Sequence, residues 1–462
     1  MSKYDIAVIG AGSGGLVVAL EASRSGARVA LLEKRKVGGE CTHYGCVPSK
    51  TLLASSRLYH AMRQARAYGL PEMAPVDELD FAAVMGHVAA VVDGVYLGEQ
   101  PNRLQGENLE VIVHPSGAHF LDARHIAIGN DEIEADYTVV ATGSSPASVP
   151  FEGEHAQDFL NNVNFWSLRE QPASIIFLGG GVISAELGQA LARFGTDVTI
   201  IDRGPRMLRA TDEEVGTLAV DLLKAEGIRV VTRAQVLRCD RVDHQTISVT
   251  IEQKGISKDC AAQCVFAALG RVPNTEGLEL ERAGVQATDR GITTNEHLQT
   301  SAPNIYACGD VTSPAKFTHV AAYQARICVS NILNGDRRVN DLSTVPWSIF
   351  SEPEIAHVGL TEAQSREQGK DVRLFRVGVD SVDRFITEGK TAGFIKVAYD
   401  ADDRIIGADA IGAHAGEWIQ LASLAMQGGL TAGRLAETIF IYPTYSEVVY
   451  KSATRYLRTK AK

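Results

Sequence analysis

The chain begins with a strand, a glycine turn, a helix and a second strand, an order that leaves few folds open. An apolar strand, Tyr4–Ile9, runs into the turn Gly10-x-Gly12-x-x-Gly15, and the second strand ends at Glu33. Glycines at these positions let the backbone approach a pyrophosphate at a helix N-terminus. An acid 23 positions after the first glycine suits a ribose hydroxyl. A turn without a ligand is the alternative, but the strand and the acid favour a dinucleotide site.

The same pattern returns in the middle of the chain. An apolar strand precedes a Gly-x-Gly-x-x-Ser turn that contains Gly179 and Gly181, and Asp202 again stands 23 positions after the first glycine. Asp202 would bind a free ribose 2′-hydroxyl and repel a 2′-phosphate, which favours NADH. Arg203 and Arg206 would favour NADPH unless they are ordinary solvated cations. The preference for NADH is therefore slight.

Two such units in one chain predict an α/β fold with two Rossmann-like dinucleotide-binding domains. From about residue 344 the pattern changes to alternating strands with a helix, which predicts a separate C-terminal α+β interface domain. We expect the first domain to comprise residues 1–150 and 272–343, the second 151–271, and the third 344–462. Residues 71–75 are predicted to form a surface loop.

A pair of cysteines, Cys41 and Cys46, follows the first unit closely. Residues five apart on a regular helix are too distant for a disulfide, so the segment must be distorted, as Gly45 and Pro48 allow. Pro48 suits the first turn of a helix, which would place Cys46 near a helix N-terminus, where the dipole favours a thiolate. Two buried thiols or half of a zinc site are alternatives, but the zinc-ligand spacing is lacking. A redox-active disulfide is favoured, and no metal-binding residues are predicted.

Charge and hydropathy argue against several partners. The net charge is −11, which makes nucleic acid and anionic membranes poor candidates. No run approaches ~20 consecutive apolar residues, so we expect no membrane span, and the N-terminus does not resemble a signal peptide. Seven cysteines, an odd number without a signal peptide, indicate the cytoplasm.

Together these motifs resemble those of the pyridine nucleotide–disulfide oxidoreductases, which include dihydrolipoamide dehydrogenase, glutathione reductase, mercuric reductase and the soluble transhydrogenase. The resemblance covers essentially the whole chain, and the cysteine segment is its most specific part. It implies FAD, NAD(P) and interface domains and an obligate homodimer, because the C-terminal segment of one chain completes the active site of the other. It identifies as cofactor-binding the residues Gly10, Gly12, Gly15, Glu33, Gly39, Thr142, Gly143, Asp310 and His319 for FAD, and Gly179, Gly181, Asp202, Arg203 and Gly270 for NAD(P)H.

The resemblance also implies catalytic roles. Cys46 would face the flavin and Cys41 would be the interchange thiol that meets substrate. Lys50 and Glu186 resemble an ion pair beside the flavin and the nicotinamide. A hydride would pass from NAD(P)H to FAD, and an electron pair from FAD to the disulfide.

One position departs from the lipoamide and glutathione enzymes, which carry a His five residues before a C-terminal Glu. Here Tyr442 occupies that position and Glu447 is kept. Because His titrates near ~6.5 and Tyr near ~10, a phenol is a poor general base. Mercuric reductase is similar in having Tyr there and both cysteines, but it ends in a vicinal Cys pair, whereas residues 455–462 contain no thiol. Whether Tyr442 or His43 acts as the acid/base is left open.

The expected function is that of an FAD-dependent NAD(P)H oxidoreductase that contributes to cell redox homeostasis. We expect a mercuric reductase-like enzyme that reduces a metal ion, or an unidentified disulfide, through the cysteine pair. The alternatives are a dihydrolipoamide dehydrogenase-like enzyme and a diaphorase or transhydrogenase-like NAD(P)H:quinone reductase that acts from the flavin. A non-catalytic flavoprotein is disfavoured, because two complete dinucleotide sites and a disulfide are predicted.

Overall fold

The computed structural model describes residues 2–71, 79–147, 159–312 and 315–460. Its helices are Ser13–Arg24, Gly39–His43, Cys46–Arg63, Phe81–Glu99, Pro101–Leu104, Val182–Phe194, Glu213–Ala225, Thr318–Asn334, Glu362–Glu367, Asp383–Thr387, Ala415–Gln427, Ala432–Glu437 and Glu447–Lys460, with short 3-10 turns at Ala65–Tyr68, Phe165–Ser167, Leu280–Ala283, Gly309–Val311 and Val379–Ser381. Within the described residues these helices pack around three larger sheets, which are accompanied by smaller ones.

The first sheet has a parallel core around the N-terminal strand. Ser2–Ile9 pairs in parallel with Val29–Glu33 on one side and with Asp131–Val140 on the other. The remaining members are Leu109–Val113, Ile305–Ala307, Ala118–Phe120 and His125–Ile128. Both faces of the central strands are covered, so those strands are almost continuously apolar. The turns that follow parallel strands meet at one edge of the sheet, where a ligand can be held.

The second sheet repeats this arrangement on a smaller scale. Its four parallel strands lie in the order Arg229–Val231, Asp197–Ile201, Ser174–Leu178, Cys264–Ala267. A three-stranded antiparallel sheet, formed by Ala234–Asp243, Thr246–Gln253 and Ile256–Ala262, adjoins it. Two short antiparallel strands, Ser144–Pro146 and Arg271–Pro273, pair where the chain passes between the two units.

The C-terminal unit is a five-stranded antiparallel sheet with helices packed against it. The strand order is Trp347–Ile349, Glu354–Gly359, Ile405–Gly412, Phe394–Tyr399, Arg373–Gly378. The helices Ala415–Gln427 and Glu447–Lys460 bury Trp418, Ile419, Val448 and Val449 against this sheet. The predicted α/β class, with two Rossmann-like units and a C-terminal α+β unit, is confirmed.

Most of the predicted elements agree with the structure to within a few residues. The main differences between prediction and structure are the first residues of two helices. These helices begin at Ser13 and Val182, inside the glycine turns. The helix predicted to begin near Pro48 is the helix Cys46–Arg63, followed by a 3-10 turn. Apart from Pro71, the predicted loop 71–75 lies outside the described residues.

One stretch of the described residues bears on the expectation that no segment spans a membrane. The stretch Phe81–Leu104 is long and apolar enough to cross a membrane by length and composition, and 17% of its most apolar window is buried. His87 and Asp93 interrupt the apolar residues, so a search for an unbroken apolar run passes over this stretch. A single such helix is weak support for a membrane location, because other classes of helix meet the same criterion.

Candidate active site

The first glycine turn is a tight crossing of backbone that excludes side chains. A Cβ atom at Gly15 would lie 1.8 Å from the carbonyl oxygen of Gly10. Gly10 has φ +101°, and a Cβ there would lie 2.5 Å from the carbonyl oxygen of Ala141. Glu33 closes the turn, because its carboxylate accepts hydrogen bonds from the amides of Ala11 and Arg35 at 2.8 Å each. Each carboxylate oxygen retains a lone pair for a ribose hydroxyl.

The other residues predicted to bind FAD surround this turn. A Cβ at Gly39 would lie 2.7 Å from Cα of Gly12, so backbone approaches backbone here. Gly143 has φ +69° and faces open space. Asp310 follows the strand Ile305–Ala307 and accepts a hydrogen bond from Ser144 at 2.6 Å. Glycines that leave no room for side chains, together with the carboxylates of Glu33 and Asp310, fit a dinucleotide such as FAD.

Thr142 and His319 are held by backbone contacts. The Thr142 hydroxyl donates to the backbone carbonyl of Asn274 at 2.7 Å, and the side-chain amide of Asn274 donates to the backbone carbonyl of Thr142. Nε2 of His319 donates a hydrogen bond to the carbonyl oxygen of Pro346 at 2.8 Å, and the ring stacks on Phe317 with ring centres 5.4 Å apart.

The second glycine turn opens into a cavity of about 1560 Å³. All five residues predicted to bind NAD(P)H line it, namely Gly179, Gly181, Asp202, Arg203 and Gly270. Phe317, Trp347 and Ile349 line it as well, and an apolar aromatic surface suits a nicotinamide ring. The cavity is thus large and chemically mixed enough for a dinucleotide.

Asp202 is buried and already engaged by the backbone. Its carboxylate accepts the amides of Gly180 at 2.6 Å and Gly204 at 2.5 Å. Arg203 lies on the cavity wall, whereas Arg206 donates to the carbonyls of Leu208 and other loop residues and does not line the cavity. Of the two arginines that could bind a 2′-phosphate, Arg203 therefore lines the cavity and Arg206 does not.

The two cysteines lie in a distorted segment, as predicted. Cys41 belongs to the short helix Gly39–His43, and Cys46 is the first residue of the long helix Cys46–Arg63. Gly45 lies between the two helices. A Cβ atom at this position would lie only 3.0 Å from the carbonyl oxygen of Glu40, so a side chain fits poorly there. Both cysteines are free thiols, and each changes the pKa of the other.

The environment gives the two thiols opposite acidity. The hydrogen bond from Cys41 is the largest cause that lowers the pKa of Cys46, which falls to about 6. Thr318, whose Oγ1 lies 3.3 Å from the Cys46 sulfur, and the charge of Lys50 lower this pKa further, against partial desolvation. The same thiol–thiol bond raises the pKa of Cys41 well above its usual value. Near neutral pH, Cys46 is the thiolate and Cys41 the thiol.

Lys50 and Glu186 join the two dinucleotide units. Nζ of Lys50 lies 2.9 Å from the buried carboxylate of Glu186 and 4.5 Å from the centre of the Phe350 ring. The other carboxylate oxygen of Glu186 accepts the amide of Phe350 at 2.8 Å. Lys50 belongs to the cysteine-bearing helix and Glu186 to the helix after the second glycine turn, so the ion pair links these two helices.

A set of hydrogen bonds around the Glu40 carboxylate, called here the Glu40 clasp, was not predicted from the sequence. Arg271 binds the Glu40 carboxylate in bidentate fashion, with one contact at 2.7 Å, and also donates to Ser144 at 2.8 Å. Asn162 donates to Glu40 as well, and Trp166 donates to the carbonyl of Tyr44 at 3.0 Å. The cysteine segment is therefore held by the residues that lead into and out of the second unit. An acid between the glycines and Cys41 was the available signal.

Tyr442 and Glu447 are not brought to the cysteines within one chain. Tyr442 is 68% exposed and donates its hydroxyl to Asp383 at 2.7 Å, which raises the pKa of the phenol. Glu447 accepts the amide of Thr444 at 3.1 Å. Within the described ranges neither contacts Cys41 or Cys46, so a role at the thiols requires a second subunit.

His43 points away from the reacting sulfurs. It is buried, its Nε2 donates to the carbonyl of Val37 at 2.8 Å, and its ring packs edge-on against Tyr96 at 4.9 Å. These contacts are those of a structural histidine.

Comparison with known proteins agrees with this geometry. The family model "Pyridine nucleotide-disulphide oxidoreductase" matches residues 4–325, and its dimerisation domain matches residues 345–453. Dihydrolipoyl dehydrogenase of Bacillus subtilis is 34% identical over 459 residues, which cover 98% of this chain and 96% of the relative. Mercuric reductase of Staphylococcus aureus is 34% identical over 456 residues, covering 96% and 81%.

Solved structures show the same likeness along the whole chain. The Cu(II) complex of the HOCl-induced flavoprotein disulfide reductase RclA from Escherichia coli superposes with a TM-score of 0.86 and 27% identity, covering 98% of this chain and 100% of that one. The dimerisation-domain match supports a homodimer. The chain therefore belongs to the pyridine nucleotide-disulphide oxidoreductase family and is an FAD-dependent enzyme that uses NAD(P)H.

Proposed function

We propose that this enzyme uses NAD(P)H to reduce a soft metal ion, with Hg(II) as the reference substrate, through Cys41 and Cys46. The observation that carries the proposal is the pair of free cysteines in one short segment, with Cys46 at the start of a long helix and with opposite shifts in the pKa of the two thiols. A thiolate is the form of cysteine that binds soft metals. Bound FAD would accept the hydride of NAD(P)H and supply two electrons to the cysteine site.

The residues at the cysteine site would have separate roles. Cys46, already a thiolate near neutral pH, is proposed to face the flavin, and Cys41 is proposed to meet the metal. Reduction of Hg(II) to Hg(0) takes two electrons, which match the oxidation of one NAD(P)H to NAD(P)⁺ and a proton. Lys50 and Glu186 are proposed to fix the positions of the two cofactor sites relative to each other, because their ion pair connects the two units.

The region around Tyr442 favours a metal over a dithiol such as dihydrolipoamide. Exchange with a small disulfide needs a base that accepts and returns a proton near neutral pH. Tyr442 has a raised pKa and donates to Asp383, and His43 is bound to a backbone carbonyl. A metal ion that leaves as the reduced element makes no such demand. The relatives named above include a mercuric reductase and a protein solved as a Cu(II) complex.

We further propose a homodimer in the cytoplasm, with Tyr442 of one chain near the cysteines of the other. The segment that would lie at the interface is strongly apolar and exposed, with Ile439 at 96% and Ile441 at 79%. Solvent exposure of this size at an apolar segment is typical of an association surface. NADH is retained as the slightly favoured donor, because Asp202 lines the nucleotide cavity.

The test is oxidation of NADH and of NADPH by the purified holoenzyme, with and without Hg(II) buffered by excess thiol. The matched control is Cys46→Ser, which removes the thiolate and keeps the fold. We expect Hg(II) to accelerate oxidation in the wild type and to have no such effect in the variant. Dye reduction from the flavin should be equal in both proteins.

Three other results would refute the proposal or favour one of the alternatives. Inhibition by Hg(II) in the wild type would mean that the metal poisons the dithiol and would refute metal reduction. Lipoamide turnover as fast as dye turnover would instead favour the dihydrolipoamide dehydrogenase-like alternative. Quinone reduction that survives Cys41→Ser would favour the quinone reductase alternative.

A further inference from the structure

Four residues line up across four adjacent strands of the C-terminal sheet. Trp347 lies directly opposite His357, which lies directly opposite Asp409. Asp409 in turn lies opposite Lys396 on the next strand. Residues that are directly opposite each other in a sheet share one face, so these four side chains, called here the cross-sheet row, lie on the same side. The three ionisable members are buried, which requires that each has a polar partner.

Trp347 is the member of the cross-sheet row that reaches the nucleotide cavity. Trp347 and Ile349 line the cavity, whereas the Ser348 hydroxyl donates to the carbonyl of Ile355 at 2.8 Å. The Trp347 ring is nearly parallel to the ring of Phe317, with an angle of 9° and ring centres 6.4 Å apart. Phe317 precedes a helix of the first unit, so two units together give the cavity an aromatic wall. Aromatic faces of this kind suit a planar ring.

His357 packs against Trp347 and is fixed at both of its ring nitrogens. The ring centres of His357 and Trp347 are 5.1 Å apart. Nδ1 of His357 donates to the Asp409 carboxylate at 2.7 Å, and Nε2 lies 2.8 Å from the carbonyl oxygen of Gly359. Rotation of the imidazole would leave a buried polar group without its partner, which is unfavourable. The indole therefore packs on a ring that is held in one orientation.

Lys396, at the other end of the row, attaches the sheet to the second unit. Its Nζ lies 3.0 Å from the buried carboxylate of Asp212 and 2.7 Å from Glu362. Asp212 caps a helix of the second unit, and the preceding residue, Thr211, lines the nucleotide cavity. The C-terminal sheet is therefore joined to the cavity wall at both ends of the row, directly through Trp347 and indirectly through Lys396.

We propose that Trp347 stacks on the nicotinamide ring of NAD(P)H, and that His357 and Asp409 are positioning residues that hold the indole in place. The proposal rests on NAD(P)H occupying this cavity and is independent of the metal proposed as electron acceptor. The oxidised nicotinamide ring is positively charged, so an indole face attracts it through a cation–π interaction. In this arrangement the C-terminal unit supplies a binding residue to the nucleotide cavity of the second unit.

The direct test is equilibrium binding of NAD⁺ and of NADP⁺ to the oxidised holoenzyme, measured by calorimetry. These nucleotides cannot reduce the flavin, so binding is observed without turnover. We expect Trp347→Ala to weaken binding of the preferred nucleotide by about tenfold, because the aromatic contact is lost. Trp347→Phe keeps a flat ring and should bind within about threefold of the wild type. Ser348→Ala is the matched control on the same strand and should bind as the wild type does.

Quenching of tryptophan fluorescence by the same nucleotides identifies the residue that makes the contact. The chain has three tryptophans, and Trp166 and Trp418 are not among the described residues that line the cavity. We expect the preferred nucleotide to quench part of the fluorescence of the wild type and none of that of Trp347→Phe, although this variant still binds. Quenching of equal size in Trp347→Phe would overturn the proposed contact.

His357→Gln tests the positioning role, because it removes the ring that packs against the indole. We expect this change to weaken nucleotide binding by about threefold in the wild type and to cause no further loss in Trp347→Ala, where no indole remains to be held. Asp409→Asn, which keeps the size of the side chain, provides a second variant for the same comparison. An equal loss with and without Trp347 would show that His357 acts on the fold alone and would overturn its positioning role.

Equal binding by Trp347→Ala and the wild type would overturn the proposal. So would a loss in Trp347→Phe as large as that in Trp347→Ala, since a flat ring would then not be the cause. Failure of the wild type to bind either nucleotide would overturn it as well. None of these measurements uses a metal, so they stay separate from the outcome of Hg(II) reduction.

Discussion

At the scale of single residues, the chemistry depends on which side chains surround each sulfur. Cys46 is acidified by a thiol, a hydroxyl and a lysine, whereas Cys41 becomes a weaker acid by donating to its neighbour. This asymmetry supports the proposal that Cys46 holds the charge and Cys41 exchanges with the substrate. It could be predicted only in part from the sequence. The position of Cys46 at a helix start was predictable from Pro48, but Thr318 lies 272 residues away.

The structure gives a prediction for substitution of His43 that differs from the one its position in the sequence suggests. A histidine next to a redox disulfide resembles a replacement base, for which His43→Gln would slow thiol turnover and spare dye reduction. The structure instead predicts equal effects on both assays, because the imidazole is bound to Val37 and packed on Tyr96. We expect a stability loss of about 1–2 kcal/mol in thermal unfolding. A selective loss of thiol turnover with an unchanged melting temperature would contradict this.

At the scale of elements, the glycine turns were the most predictable feature. Their spacing requires backbone crossings, and the structure has them, with only 1.8 Å available for a Cβ at Gly15. The helix starts were less predictable, because periodicity appears only after the first turn. The Glu40 clasp was not predictable, because Arg271 and Asn162 reach it from distant parts of the chain.

Gly15→Ala tests the first turn. The new methyl group would collide with the carbonyl of Gly10, so the turn must open and its contact with FAD must weaken. We expect purified Gly15→Ala to contain several-fold less FAD, measured by the ratio of flavin to protein absorbance. Gly86→Ala is the control, since Gly86 faces open space in the helix Phe81–Glu99. Full FAD content in Gly15→Ala would refute the crossing.

The link between the second glycine helix and the C-terminal unit predicts acid sensitivity. Glu352 binds Lys390 at 2.7 Å and Arg193 at 2.6 Å. Burial alone would raise the pKa of Glu352, but these two cations lower it to about 2. Because the folded-state pKa is depressed, the carboxylate stabilises the protein above the ordinary Glu value and loses this effect as pH falls toward about 2.

Glu352→Gln tests this link. Its melting temperature should lie below that of the wild type at neutral pH, and the difference should shrink as pH falls from about 6 to about 3. The shift in pKa sets an upper limit of about 3 kcal/mol for the loss, since the network shares its charges. A difference that is independent of pH would show that Glu352 acts through packing alone.

At the scale of the whole molecule, the three-unit plan followed from the repeated motif and the change of pattern near residue 344. The exact domain boundaries remain a prediction. The proposed division of the active site between two chains is not visible in any local pattern, because Tyr442 and Glu447 have their structural partners within the C-terminal unit. A second subunit is the element that a single chain cannot reveal.

The exposed segment around Ile439 and Ile441 therefore gives a prediction about assembly. Ile439→Asp combined with Ile441→Asp should convert a dimer into a monomer, because charges would be buried at the interface. Light scattering after size-exclusion chromatography measures the mass directly. Val242→Asp, at an exposed apolar site of the second unit, should remain dimeric. A wild type that is monomeric, or a double variant that stays dimeric, would contradict the proposed interface.

The central claim is that Cys41 and Cys46 form a redox centre in series with FAD, and anaerobic reductive titration tests it most directly. A flavin plus a disulfide takes up four electrons, whereas a flavin alone takes up two. We predict that wild-type holoenzyme consumes twice as much dithionite per FAD as Cys46→Ser. Equal consumption by the two proteins would show that the cysteines stand outside the electron path.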